Sequence, residues 1–218
     1  NVSQDSDRTV RRVLMKESYA GQEQTMFPQA IYERYCEKTG QTINTIASDK
    51  TGRTLINYSG KPGDYECISL VDVLQGKIDT RVFKDSIVLV GAYAAGMQDN
   101  FNVPNGGNQQ MYGVEIHANI LQAFMQNRFS VNGNPFLFGL LTGFVCAILH
   151  FVFKRTKIWL STILLIAGVA ANLIAGVILN NNGIAISLIY APLVLIVSYI
   201  YCLAIGYILE KLKQKKVL

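Results

Sequence analysis

Apolar residues are spread unevenly along this chain. Beyond residue 135 they gather into three runs, 136–153, 158–179 and 184–209, and none of the three contains Asp, Glu, Lys or Arg. A helix needs about 20 apolar residues to cross a bilayer, and each run is near or above that length. Helices packed inside a soluble protein keep a polar face, and these have almost none. The breaks are short: Lys154, Arg155, Thr156 and Lys157, then Asn180, Asn181, Asn182 and Gly183. The pattern predicts an all-α bundle of three transmembrane helices joined by tight turns.

Residues 1–135 read differently, as one α/β domain. Val10, Val13 and Leu14 among basic residues predict a short strand over 9–15. Pro28 suits the first turn of a helix, where its missing N–H is not needed. Ala30, Ile31 and Tyr35 continue that helix and Gly40 ends it. A strand is expected over 55–58, then a turn-rich loop over 59–64. A short helix is expected over 69–75, with Ser69 and Asp72 at capping-box spacing. The run 86–91 is continuously apolar and ends at Gly91, which suits a strand buried on both faces of a parallel sheet. A long loop over 92–112 follows, then a helix from Gly113 to about Arg128. That order puts the loop at the carboxyl end of a strand, where open α/β sheets hold ligands.

Charge sets the expected orientation. The chain has a formal charge of +5 and a pI near 9.0. Before Phe136 there are 13 Lys and Arg against 14 Asp and Glu; from there on, seven stand against one. The basic excess therefore belongs to membrane topology rather than to a phosphate-binding patch, and no nucleic-acid partner is expected. Lys154, Arg155 and Lys157 lie between the first two runs, and Lys211, Lys213, Lys215 and Lys216 follow the third. Basic residues at span ends stay in the cytoplasm. This predicts 154–157 and 210–218 inside and 1–135 outside, with Trp159 at the cytoplasmic interface. An outer domain needs an export signal or an earlier span. The chain starts with Asn, and residues 1–20 hold no apolar run, so an upstream segment is expected.

Candidate chemistry is sparse. Asp99, Glu115 and His117 could form an acid/base group, but Gly-x-Ser-x-Gly is absent. Glu115 and His117, two apart, point to different faces of a helix. No His pair at i, i+4 and no paired cysteines suggest zinc. Asp5-Ser6-Asp7 lacks the further spacing of an EF-hand loop. The expectation is no metal. Asp99 and Asn100 are expected to bond loop backbone, with His117 and Asn119 bonding across the helix start; a ligand pocket lined by the same groups stays open. Cys36 and Cys67 lie where a disulfide is permitted, but two cysteines do not require one.

One set of residues carries a family resemblance. It comprises 83–92 (Phe-Lys-Asp-Ser-Ile-Val-Leu-Val-Gly-Ala), Asp99, Pro104, and Gly113-Val114-Glu115-Ile116-His117-Ala118-Asn119-Ile120. Together they resemble the CHASE type-2 sensory domain, an extracellular sensor associated with cyclases and histidine kinases. Asn1, Val2, Asp5, Asp7, Arg11 and Arg12 resemble the family's upstream strand, with Arg8 where Gly is usual. The resemblance implies a sensor lacking its N-terminal half, followed by three spans and an output domain beyond Leu218. It further implies a bacterial cytoplasmic membrane, a homodimer and an unknown extracellular ligand. The implied output is a class III adenylate or guanylate cyclase, or else a histidine or Ser/Thr kinase. Mg and ATP would belong to that output domain, and no cofactor is expected in this chain. Candidate ligand-binding residues are Arg11, Asp99, Asn100, Glu115, His117 and Asn119.

Within the spans, Gly139, Gly143 and Ala147 share a face that lets helices approach closely, and so do Gly168, Asn172 and Gly176. Pro192 is a candidate kink. The third run continues without Gly or Pro after Gly206, and Ile205, Leu209 and Leu212 repeat at helical spacing. Two other readings remain open: a membrane assembly protein that signals nothing, and a membrane-anchored hydrolase using Asp99 or His117.

Overall fold

Val10, Val13 and Ile56 bring the first strands of the chain onto one core. A computed structural model describes residues 3–19 and 21–217. In chain order the first part runs β1 (Arg12–Leu14), β2 (Lys16–Tyr19), β3 (Gln22–Thr25), α1 (Phe27–Thr39), β4 (Arg53–Ile56), α2 (Leu70–Leu74), β5 (Asn100–Phe101), β6 (Met111–Tyr112), α3 (Gly113–Met125) and β7 (Phe129–Asn132). The second part is α4 (Pro135–Phe153), α5 (Ile158–Asn181), β8 (Ile184–Ala185) and α6 (Tyr190–Val217). The chain divides into two compact units, Asn1–Val131 and Asn132–Leu218.

In the first unit β4 pairs antiparallel with β1 on one side and β7 on the other. β2 with β3, and β5 with β6, form separate antiparallel pairs. The helices follow from spacing. α1 buries Pro28, Tyr32 and Cys36, one per turn. Gly40 closes it in the left-handed region, at φ 72°, returning its N–H to the Cys36 carbonyl. α3 buries Ile116, Ile120, Ala123 and Phe124, the i, i+4 stripe of a core-facing helix. Tyr32 stacks on Phe124 at 5.3 Å, and Phe129 meets Phe124 edge-on at 4.8 Å.

The run 86–91 is not a strand. No ladder reaches it among the described residues, and the observed pairs lie elsewhere. Val88 is 51% exposed and Val90 75%. A strand needs neighbours on its hydrogen-bonding edges, and here none is at hand. The 92–112 stretch, expected to be a loop, contains the β5–β6 pair. The short α2 forms, but Ser69 makes no side-chain cap bond.

The second unit begins with a firm helix start: the Asn134 side chain accepts from the N–H of Phe136 and Leu137, with Pro135 in the first turn. α4, α5 and residues Tyr190–Leu209 of α6 are long and apolar enough to cross a membrane. α6 starts at Tyr190, not at residue 184. Gly183 turns the chain at φ 77°, and Ala185 accepts the Gly133 N–H, which holds 184–185 extended. Pro192 lies in the first turn of α6, where it starts the helix instead of kinking it. The helix is continuous through Val217.

Polar bonds link these helices. His150 Nδ1 of α4 lies 2.9 Å from Ser198 Oγ of α6, and Thr162 Oγ1 of α5 lies 2.7 Å from Tyr199 Oη. A Cβ on Gly168 would touch Leu195 and Leu149 at 3.4 and 3.5 Å, and at Gly176 the space is filled by Leu188. Asn172 Oδ1 is buried without a hydrogen-bond partner among the described residues. A Cβ on Gly139 or Gly143 would meet nothing within 4 Å. That face of α4 is open in the single chain.

Candidate functional site on the third helix

α3 opens against two loops, and its polar residues fasten them. Glu115 is 3% exposed and Asn119 fully buried. One Glu115 oxygen accepts the Gly63 N–H at 2.7 Å, and the other accepts the Tyr112 N–H at 3.2 Å. Asn119 Oδ1 accepts from Ser59 and Gly60 at 3.1 and 2.9 Å, while its Nδ2 donates to the Glu115 carbonyl at 3.1 Å. Buried polar groups must find such partners. The i, i+4 spacing of Glu115 and Asn119 puts both on one face, so the 59–63 loop is tied to α3 twice.

Two glycines permit close approach here. A Cβ on Gly91 would fall 2.7 Å from Val114 Cβ. A Cβ on Gly113 would fall 2.6 Å from an Asp99 carboxylate oxygen, and the Gly113 N–H donates to the Asp99 carbonyl at 2.9 Å. His117 lies edge-on to Phe27, with ring centroids 5.5 Å apart. Its buried Nδ1 has no hydrogen-bond partner among the described residues. Burial pushes its pKa below the usual 6.5, against the opposing pull of Asp99.

Arg11 is occupied elsewhere. It bonds Asp7 at 2.8 Å and reaches Asp5 at 3.4 Å, while Arg12 bonds Asp5 at 2.9 Å. The Arg11 guanidinium and the Thr9 N–H hold the Asp7 carboxyl down at about 2. Arg8 closes this turn at φ 60°, a left-handed conformation that favours Gly.

Beside α3 a cleft of about 560 Å³ is lined by Tyr93, Tyr112, Glu115 and the amides of Asn100, Asn102 and Gln110, among others. Of the candidate ligand-binding residues, the structure brings Asn100 and Glu115 together here. Asn119 lies buried behind Glu115, and Arg11, Asp99 and His117 are not among the lining residues. Among the described residues no cluster of three His, Cys, Asp or Glu could hold a metal ion. Cys36 is buried and Cys67 exposed, and both are free thiols.

The family model of the CHASE2 domain matches residues 1–167. The chain belongs to the CHASE2 family. No curated protein and no solved structure matches it. CHASE2 is an extracellular sensor domain, and the match runs on through α4 into α5, the first two of three helices of membrane-spanning character; a sensor joined to such helices is the make-up of a membrane signalling receptor. The CHASE2 residues Gly91, Gly113, Glu115 and Asn119 all have contacts that explain them. Sequence reasoning missed the 59–63 loop as the partner of Glu115 and Asn119, and it missed Tyr93 and the polar face of β5 and β6. The second had a signal: Asn100, Phe101, Asn102 and Val103 alternate polar and apolar, as strands do.

Proposed function

We propose that this chain is the sensory and transmembrane part of a bacterial receptor that couples an external signal to a cytoplasmic class III adenylate or guanylate cyclase. The observation carrying the reading is the CHASE2 match together with three apolar helices, the last running unbroken to Val217. The basic residues at 154–157 and after residue 210 favour a cytoplasmic location for both stretches and an outer location for the CHASE2 unit. Mg and ATP belong to the output domain of this scheme. A ligand acts by binding two arrangements of the sensor unequally and so shifting the helices.

Cyclases of this class work as paired catalytic domains, so the receptor is a homodimer in this reading. The open face of α4 at Gly139 and Gly143 suits close helix approach between two copies. The exposed run at Ile87, Val88 and Val90, with Leu70, Val71 and Leu74 of α2, supports a sensor completed by a further segment. Membranes carrying the full-length protein test the output: with Mg they are expected to convert ATP or GTP to the cyclic nucleotide. Phosphate transfer from ATP to protein in its place would move the assignment to a kinase. Neither activity would leave a membrane assembly role.

A further inference from the structure

We propose that the cleft beside β5 and β6 binds a neutral oligosaccharide. Strand alternation builds it. Phe101, Val103 and Met111 turn inward onto the core, so Asn100, Asn102, Gln110 and Tyr112 form the outer row. Asn100 pairs directly across from Tyr112 in the register. Asn100 Nδ2 donates to Gln110 Oε1, and Gln110 Nε2 donates to Asn102 Oδ1 at 3.2 Å. The relay fixes the three amides and uses only part of their capacity, since each carries two donors and an acceptor. What remains is an ordered row able both to donate and to accept. Sugar hydroxyls, which do both, match such a row.

The rest of the lining narrows the ligand class. Tyr93 and Tyr112 lie 4.3 Å apart, centroid to centroid, and Tyr93 is 41% exposed. Their rings give the C–H face of a sugar an apolar wall. Among the described residues Glu115 is the one charged group lining the cleft, and both its oxygens are held by backbone amides. The lining thus offers no cation to a phosphate or carboxylate and no free carboxylate to an amine. A volume of about 560 Å³ is ordinary for a small-molecule site.

The proposal deepens the receptor reading and rests on it only for the outer placement of this unit. The test is calorimetric titration of the full-length protein in lipid nanodiscs, which avoids sugar-headed detergent. The probes are maltotriose, cellotriose and triacetylchitotriose, with glucose 6-phosphate and trialanine as comparisons. At least one trisaccharide is expected to bind saturably and the two comparisons not to. Gln110→Ala and Tyr93→Ala, both outside the buried core, are each expected to weaken binding about tenfold or more, the loss of one good contact. No binding by any of the three, equal binding in both variants, or preference for trialanine would overturn the assignment. Cyclic nucleotide production is read separately, so failure here leaves the receptor reading standing.

Discussion

Gly91 lies so close to Val114 that a Cβ at position 91 would come within 2.7 Å of the valine Cβ. That atom is fixed to the helix backbone of α3, so it cannot swing away. Gly91→Ala is expected to destabilise the outer unit by about 1–3 kcal/mol, as overpacking does. Val114→Gly in the same chain removes that Cβ and should restore much of the loss, less the roughly 1 kcal/mol that glycine costs a helix. Thermal unfolding of the four-member cycle measures it, and simple additivity would show that the two sites are not in contact.

Asn119→Ala removes the acceptor for both Ser59 and Gly60. The expected cost is about 1–3 kcal/mol, the price of polar groups left short of partners. Hydrogen exchange should speed up at Ser59 and Gly60 first. Unchanged exchange there would mean the loop is held by other contacts.

His117 gives a pH signature. Its folded pKa is lowered by burial below the unfolded 6.5. The unfolded state therefore takes up a proton first as pH falls, and stability declines from about pH 6.5 down to the folded value. Above pH 6.5 the group contributes no slope. His117→Leu, which also removes the buried Nδ1, should flatten that window when unfolding is followed against pH. A slope unaltered by the substitution would assign the titration to another group.

How much could be read in advance depended on which force dominated locally. The spans were legible because bilayer insertion needs only length and the absence of charge. The start of α6 was not, since 184–189 is as apolar as the helix it precedes, and hydropathy does not separate extended from helical chain. Pro192 held the cue, as a residue of first turns. The run 86–91 misled for a related reason. Its composition describes a buried strand, whereas its present surroundings leave Val90 75% exposed. Glu115 and Asn119 could be placed on one face of a helix, yet their partner loop is more than 50 residues away in sequence. No local pattern specifies such a pairing.

Exposed Cys67 makes the orientation measurable without new cysteines. A membrane-impermeant maleimide is expected to label intact cells at this thiol, read by peptide mapping, and Cys67→Ser to remove the label from this position. The buried Cys36 and the two thiols of the apolar helices should stay unlabelled. Labelling of Cys67 only after permeabilisation would reverse the proposed topology.

The open face of α4 predicts an association phenotype. Gly143→Ile should weaken dimer formation in nanodiscs, read by cross-linking, while leaving the melting of the single chain unchanged, because a Cβ at that position meets no other part of the described chain within 4 Å. Lower stability without loss of the dimer would place the face inside the protomer.

α6 runs as one helix from Tyr190 to Val217, 28 residues, and so measures about 42 Å. That exceeds the roughly 30 Å of a bilayer's hydrocarbon interior. A rod of this kind fixes an angular phase between its two ends. Each added residue turns everything continuous with it by about 100°, and seven added residues return it nearly to register. Insertions beyond Leu209 therefore act as a dial: their effect should follow the helical repeat rather than the length of chain inserted.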